Sequence, residues 1–339
     1  MTAARIGLDA RLTRQLSDGM QTYVRELVAR LPAVAPEYSY VSFTRGGNFG
    51  WSEQVALPLS IRRSKVDVVH FLSQYVPLLL PRRFVLTIHD LIHLRFPQYF
   101  KTKVGPYYAS VVRHACARAR RVITDDERTM GDLEELLGVS RAKVRVIPLG
   151  VGEVYLRGVE PYRSSRPYFL YVGNHRQHKD LPTLFAAWSS LGQQYAVDLL
   201  LTGSDDFGGE LQRQSRAERS IVALGHVSPE RLAGYYAGAR AVVQPALREG
   251  FGLPMLEAMA AGCPVVGSAD AVPTVLAPAA LTFPTRDAVA LGATLARLLD
   301  DEGLRARAIN QGRDVARGLT WDRCARATAD VYSEVLEER

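Results

Sequence analysis

Arg248-EGFGLPMLEAMAAGCPVV-Gly267 carries the signals that decide the fold. It follows an apolar run, AVVQPA (Ala241–Ala246), which predicts a strand. Gly250 and Gly252 then mark a turn, and Pro254 suits the first turn of a helix reaching about Ala261. PVVGS (Pro264–Ser268) predicts the next strand. Strand, turn, helix and strand in that order form a βα crossover unit, whose strands lie parallel in one sheet.

The same alternation extends in both directions. Upstream in the same half, strands are predicted at Tyr168–Gly173, Ala196–Gly203 and Ile221–Gly225, with helices over Asp180–Leu191, near Gly209–Ala217 and over Ser228–Ala237. Downstream, helices follow at Arg286–Leu299 and Gly303–Leu319, and a last one opens on Thr320. The first half repeats the scheme. Its strands are Ala4–Ala10, Tyr38–Thr44, Val66–Leu72, Phe84–Asp90, Arg121–Thr124 and Val144–Leu149. Its helices cover Thr22–Leu31, Pro106–Arg121 and Arg128–Leu137, the last capped by Asp126 and ended by Gly138. Residues 151–166 lack periodicity and are rich in Gly, Pro and Ser, as a linker is. The expected architecture is α/β, with two doubly wound parallel-sheet Rossmann-like domains. They span 1–155 and 156–320, and a final helix, 321–339, crosses back onto the first. In such sheets ligands bind outside the carboxyl ends of the strands, which places the expected site in a cleft between the domains.

Composition fits a two-domain protein, at 339 residues, 47% hydrophobic and 23% charged. Three distant cysteines, Cys116, Cys263 and Cys324, have no metal-type spacing and read as reduced, buried thiols of a cytoplasmic protein. No apolar stretch is long enough for a signal peptide or a membrane span. Charge is uneven: residues 1–150 hold 22 Lys+Arg against 13 Asp+Glu, a net +9, and residues 151–339 hold 20 against 22, a net −2. A basic first half suits an anionic partner, such as a lipid-linked phosphate or the inner membrane face. The candidate surface is the helix region bearing Lys101, Lys103, Arg113, Arg118, Arg120 and Arg121. No nucleic-acid recognition motif accompanies it.

The chemistry concentrates in the opening stretch. The backbone N–H groups of Gly250, Phe251, Gly252 and Leu253, with the helix start behind them, suit a phosphate. Glu249 and Glu257 bracket that site, and a carboxylate accepts several hydrogen bonds from sugar or ribose hydroxyls. No D-x-D stands at a strand end. The pairs Asp125-Asp126, Asp205-Asp206 and Asp300-Asp301 read as caps or loop residues, and there is no P-loop, so no catalytic metal is expected.

EGFGLPMLE followed by AMAAGCPVV resembles the E-x7-E signature of retaining glycosyltransferases of GT-B fold, family 4 in particular. The resemblance runs through RIGLDARLTRQLSDGMQTYVREL, TIHDLIHLRFPQYF, VRVIPLGV and YVGNHRQHKDLPTL in order. It implies a ribose-binding role for Glu257, contact with the donor sugar for Glu249, and a diphosphate-binding role for Lys179. A cation there offsets leaving-group charge. His178 stands where this family often has Arg, so Arg176 shares the phosphate role. His89, in TIHD at a strand end, would lie near the donor sugar and acceptor. Gly19 resembles a loop glycine that lets the first helix approach the phosphates, and Val227 lies where the family frames the base.

The implied activity is transfer of a hexose with retention, without metal or cofactor beyond the nucleotide-sugar co-substrate. Bacterial mannosyl- and deoxyhexosyltransferases of surface polysaccharide synthesis are the most similar group, which points to GDP-mannose and a saccharide or lipid-linked acceptor. Two alternatives share the fold: a GT-B-shaped nucleotide-sugar epimerase, and an inactive nucleotide-sugar-binding module.

Overall fold

The computed structural model describes residues 3–100, 104–204, 209, 213–214 and 220–338. Lys101, Lys103, Asp205, Asp206 and most of the helix expected near Gly209–Ala217 lie outside the described residues. The chain divides into two compact units, one of Met1–Gly150 with Thr320–Arg339, the other of Val151–Leu319.

The first unit is built on six parallel strands: β1 (Arg5–Asp9), β2 (Ser39–Phe43), β3 (Val68–Phe71), β4 (Phe84–Thr87), β5 (Arg121–Thr124) and β6 (Val144–Val146). Their order is β2-β1-β3-β4-β5-β6. β3 and β4, VVHF and FVLT, are buried at every position, as central strands covered on both faces must be. The chain leaves β1 towards β2 on one side and resumes at β3 on the other. The connections therefore diverge at the carboxyl end of β1, where such sheets bind ligands.

Helix Trp321–Glu337 belongs to this unit. Thr320 caps it by accepting from the Arg323 amide, and Trp321 and Tyr332 are fully buried. The Tyr332 hydroxyl lies 2.7 Å from His70 Nδ1. His70 Nε2 lies 2.8 Å from Thr87 Oγ1, which meets the Tyr23 hydroxyl at 3.0 Å. Burial, then the charge on His89, pushes the His70 pKa down to about 3, so this imidazole stays neutral in its chain of hydroxyls. Glu334 fixes the helix further, accepting from Arg121 at 2.8 Å and Arg145 at 2.7 Å.

The second unit repeats the plan with β7 (Tyr168–Tyr171), β8 (Asp198–Thr202), β9 (Ile221–Gly225), β10 (Ala241–Gln244), β11 (Val265–Ser268) and β12 (Ala280–Phe283). All pairings are parallel, in the order β12-β11-β10-β7-β8-β9. Its first and fourth strands, β7 and β10, are neighbours, so the switch point lies between them. Its core joins Phe169, Leu199, Val243 and Val266 to Trp188 and Leu295 of the covering helices.

Several sequence expectations change here. β12 is additional to the sequence expectation: ALTF is short and lies close to Pro278 and Pro284, and it takes the edge of the sheet beside β11. Helix Leu57–Ser64 is also additional, and it tolerates Pro58 in its first turn. The expected linker contains a short helix, Glu153–Leu156. The helix expected over Pro106–Arg121 runs from Val104 to Arg118, with a wider π turn at Tyr108–Val112. The first helix begins at Asp18 rather than Thr22. Ser17 caps it by accepting from the Met20 amide, which places Gly19 in the first helical turn and not in a loop.

Candidate active site

The loops leaving β7 and β10 emerge side by side at the switch point of the second unit. The β7 loop ends in a single turn of 3-10 helix, Gln177–Lys179, and Asp180 (φ 51°) leads into helix Leu181–Gln194. Buried His175 holds this loop to the next strand, Nε2 donating to the Thr202 carbonyl at 2.9 Å. The Leu247 amide donates to the His178 carbonyl at 2.8 Å and ties the β10 loop to it. On this frame Lys179 Nζ donates to both carboxylate oxygens of Glu249, at 2.6 and 2.7 Å. Their side chains are only 15% and 10% exposed. Two opposite charges that could each be hydrated are held instead at the mouth of the phosphate-type turn.

Behind Glu249 the backbone turns through Gly252, at φ 71° and ψ 52°, directly into helix Leu253–Ala260. A side chain there would strain the left-handed backbone. Pro254 has no N–H, and the Met255 and Leu256 amides donate to the Gly252 carbonyl at 2.9 and 3.4 Å, so the amides of this start that suit a ligand are those of the turn itself, Gly250 to Leu253. One turn along, Glu257 Oε2 accepts from the Tyr236 hydroxyl at 3.0 Å. Burial pushes the Glu257 pKa up to about 7, with the Tyr236 and Tyr155 hydroxyls acting in the opposite direction.

That raised value has a consequence for stability. Between about pH 4.5 and 7 the folded state keeps a proton that the unfolded chain has released. Stability therefore falls as pH rises through that window and is level above it. Glu257→Gln keeps an acceptor for Tyr236 and removes the buried charge. The substitution is expected to stabilise the protein by about 1–3 kcal/mol at pH 8 and by progressively less towards pH 5. Urea unfolding at both pH values checks this, and an equal effect at both would show that burial of the charge is not the cause.

At the carboxyl end of β4 in the first unit, His89 is 6% exposed. Its Nδ1 donates to Asp125 Oδ2 at 2.7 Å, and its Nε2 faces the Leu72 carbonyl at 3.3 Å. Burial lowers its pKa, but the charge and hydrogen bond of Asp125 outweigh burial and the net shift is upward. Both ring nitrogens face acceptors, so the imidazolium is the form that satisfies the site. The Tyr23 ring stands edge-on to it, with centroids 4.6 Å apart. At the end of β1, Arg11 grips Asp9 through Nε (2.7 Å) and Nη2 (2.8 Å) and reaches Glu53 at 3.3 Å. All three are buried, and this stiffens the loop beyond β1.

Comparison with known proteins identifies the family. The family description "Glycosyl transferases group 1" matches residues 166–301, and "Glycosyltransferase Family 4" matches residues 25–153. The chain belongs to glycosyltransferase family 4. It is 28% identical over 289 residues to O-antigen chain mannosyltransferase B of Escherichia coli, covering 80% of this chain and 76% of the relative. It is 26% identical over 221 residues to O-antigen chain mannosyltransferase RfbU of Salmonella typhimurium, covering 64% of this chain and 60% of the relative. Among solved structures, sucrose-phosphate synthase from Thermosynechococcus elongatus superposes with a TM-score of 0.76 at 21% identity. That match covers 99% of this chain and 100% of the other. The fold is GT-B.

Within this family 4 glycosyltransferase, the structure brings Lys179, Glu249 and the Gly250–Leu253 turn together, with Glu257 on the helix that the turn begins. Arg176 is exposed on the same loop. His178 is buried, which corrects the expectation of a phosphate contact from its imidazole: its carbonyl serves the frame instead. Phe251 is likewise buried, so only its backbone faces the turn. Val227 lies beyond β9, at the far side of β8 from β7. Asp125 is no cap: only Asp126 caps, accepting from Arg128 at 3.0 Å, while Asp125 serves His89. Arg113 donates to the Leu136 carbonyl, and Arg121 pairs with Glu334 and Glu338. Arg118 and Arg120 stand before β5, at the amino end of the sheet, opposite His89. No helix among the described residues is long and apolar enough to cross a membrane.

Proposed function

We propose that this glycosyltransferase moves mannose from GDP-mannose, with retention and without a metal ion, to a saccharide or lipid-linked acceptor in surface polysaccharide synthesis. The observation that carries the reading is the Lys179–Glu249 pair at the switch point, beside the helix start at Gly252 and with Glu257 along the same helix. Lys179 and the backbone at Gly250–Leu253 take the diphosphate, Glu249 the sugar hydroxyls, and Glu257 the ribose diol. The two O-antigen mannosyltransferases among the relatives favour mannose as the sugar and a growing polysaccharide as the acceptor.

The mechanism follows from the charges. The bond between the anomeric carbon and the phosphate oxygen breaks first, leaving an oxocarbenium-like sugar and negative charge on the diphosphate. Lys179 stabilises that charge. The acceptor hydroxyl attacks from the face the phosphate is leaving, and its proton passes to the departing phosphate oxygen. A double displacement needs a carboxylate against the anomeric carbon. Glu249 is engaged by Lys179, and a role on the sugar hydroxyls suits it better. His89, held as a cation by Asp125, is assigned to the developing charge near the transferred sugar.

The test is calorimetric titration with GDP, UDP, dTDP and ADP in the presence of EDTA, on the wild type and on Glu257→Ala. GDP is expected to bind most tightly, and Glu257→Ala to weaken it at least tenfold. Ribose hydroxyls donate to an ionised carboxylate, so binding lowers the Glu257 pKa from about 7. Affinity is then expected to rise with pH up to about 7 and to level off above it, with proton release below 7. Failure of all four nucleotides to bind would leave the reading without a donor site. Product NMR decides between retention and inversion at the anomeric carbon.

A further inference from the structure

The second unit contains a pocket of about 650 Å³ away from the Lys179–Glu249 site. Its walls are the segment after Tyr155, the end of helix Leu253–Ala260, and helix Glu302–Gly318. Four arginines line it, Arg157, Arg305, Arg313 and Arg317, and no carboxylate is among the lining residues. Arg305 Nε is buried and has no hydrogen-bond partner among the described residues, and its Nη1 is 3.8 Å from Glu302. Arg313 makes no hydrogen bond or ion pair among the described residues, and its guanidinium lies where a Cβ on Gly262 would be, 2.3 Å from Nη2. Arg157 and Arg317 pair only with exposed acids of their own helices, Glu153 and Asp314, and such pairs are weak in solvent. Leu156 and Ile309 add an apolar surface between the cations.

We propose that this pocket is a second binding site, for a phosphate-bearing molecule with an apolar body. The attraction of a helix C-terminus for cations would account for Arg313 alone, beside Ala260 and Gly262. It does not account for four arginines lining one cavity, one with a desolvated donor left unused. Planar guanidinium groups grip phosphate bidentately, and arginine is the residue suited to that geometry. Cations in a concave wall without lining acids reinforce one another's field. Helix Leu253–Ala260 separates the two sites, beginning at the Gly252 turn and ending at this pocket, about 12 Å for its eight residues.

The experiment uses inorganic pyrophosphate, titrated into the full chain, into Lys179→Ala and into the double variant Arg305→Ala/Arg313→Ala. Lys179→Ala is expected to retain a binding event that the double variant loses or weakens at least tenfold, with thermal melting confirming that both variants are folded. Co-sedimentation with phosphatidylglycerol vesicles, against phosphatidylcholine, identifies the source. Arginine-dependent vesicle binding assigns the phosphate to a lipid headgroup, and pyrophosphate binding alone assigns it to a soluble molecule. Pyrophosphate binding that Lys179→Ala abolishes and the arginine pair leaves unchanged overturns the proposal, as does no binding at all.

Discussion

Lys179→Ala is expected to lower kcat/KM by about 10³-fold, mostly in kcat, while leaving the fold intact. Two effects act together. The substitution removes the cation assigned to the leaving diphosphate, and it leaves the Glu249 carboxylate, only 10% exposed, without the partner that meets both its oxygens. An unpaired carboxylate beside a diphosphate repels the charge that develops in transfer, so the loss exceeds that of a single donor. Lys179→Arg is expected to recover part of the activity, because it restores the charge with a different geometry. Glu249→Gln is expected to lower activity by itself, yet to cost less in the Lys179→Ala background, where it removes the stranded charge. Steady-state kinetics on the four-member cycle measures that coupling. Independent, additive losses would show that the Lys179–Glu249 pair has no bearing on the reaction, and a Lys179→Ala enzyme within threefold of wild type would remove Lys179 from the proposed machinery.

The parts of this site that were legible in sequence are those carried by local pattern. A glycine turn between a strand and a helix determines where amides point, and Glu249 and Glu257 are positioned by that turn alone. Lys179 is legible from its place in YVGNHRQHKDLPTL, but its contact with Glu249 spans 70 residues and depends on β7 and β10 being neighbours. Strand order is a tertiary property, which alternation of strands and helices does not reveal. Asp125 was hidden for the same reason. Beside Asp126 it reads as part of a helix cap, and only the adjacency of β4 and β5 brings it to His89. Tyr155 and Tyr236, which flank Glu257, lie in an apparent linker and on an ordinary amphipathic helix. The basic count of the first half was correct as arithmetic, yet several of those arginines are committed to the last helix and to backbone carbonyls.

Gly203→Ala is expected to destabilise the second unit by more than about 3 kcal/mol, and to weaken nucleotide binding beyond what the lost stability explains. Gly203 follows β8 at φ 94°, and a Cβ there would lie 1.8 Å from the Gly173 carbonyl oxygen. The obstacle is backbone, so no rotamer change relieves it. Gly173 opens the loop that ends at Lys179, and that loop is already tied to β8 by His175 on the Thr202 carbonyl. A methyl group would therefore force β7 and β8 apart at their carboxyl ends and carry the Lys179 loop with them. Gly225→Ala separates this clash from backbone strain, because Gly225 also has positive φ, 66°, but no atom within 4 Å of the added Cβ. That variant is expected to lose only about 1–2 kcal/mol, the cost of a left-handed non-glycine residue. Urea unfolding of the two variants, with GDP titration of each, measures the difference. Equal losses would mean that the Gly173 loop yields freely, and that the position of Lys179 is set by its pairing with Glu249 rather than by the strand ends.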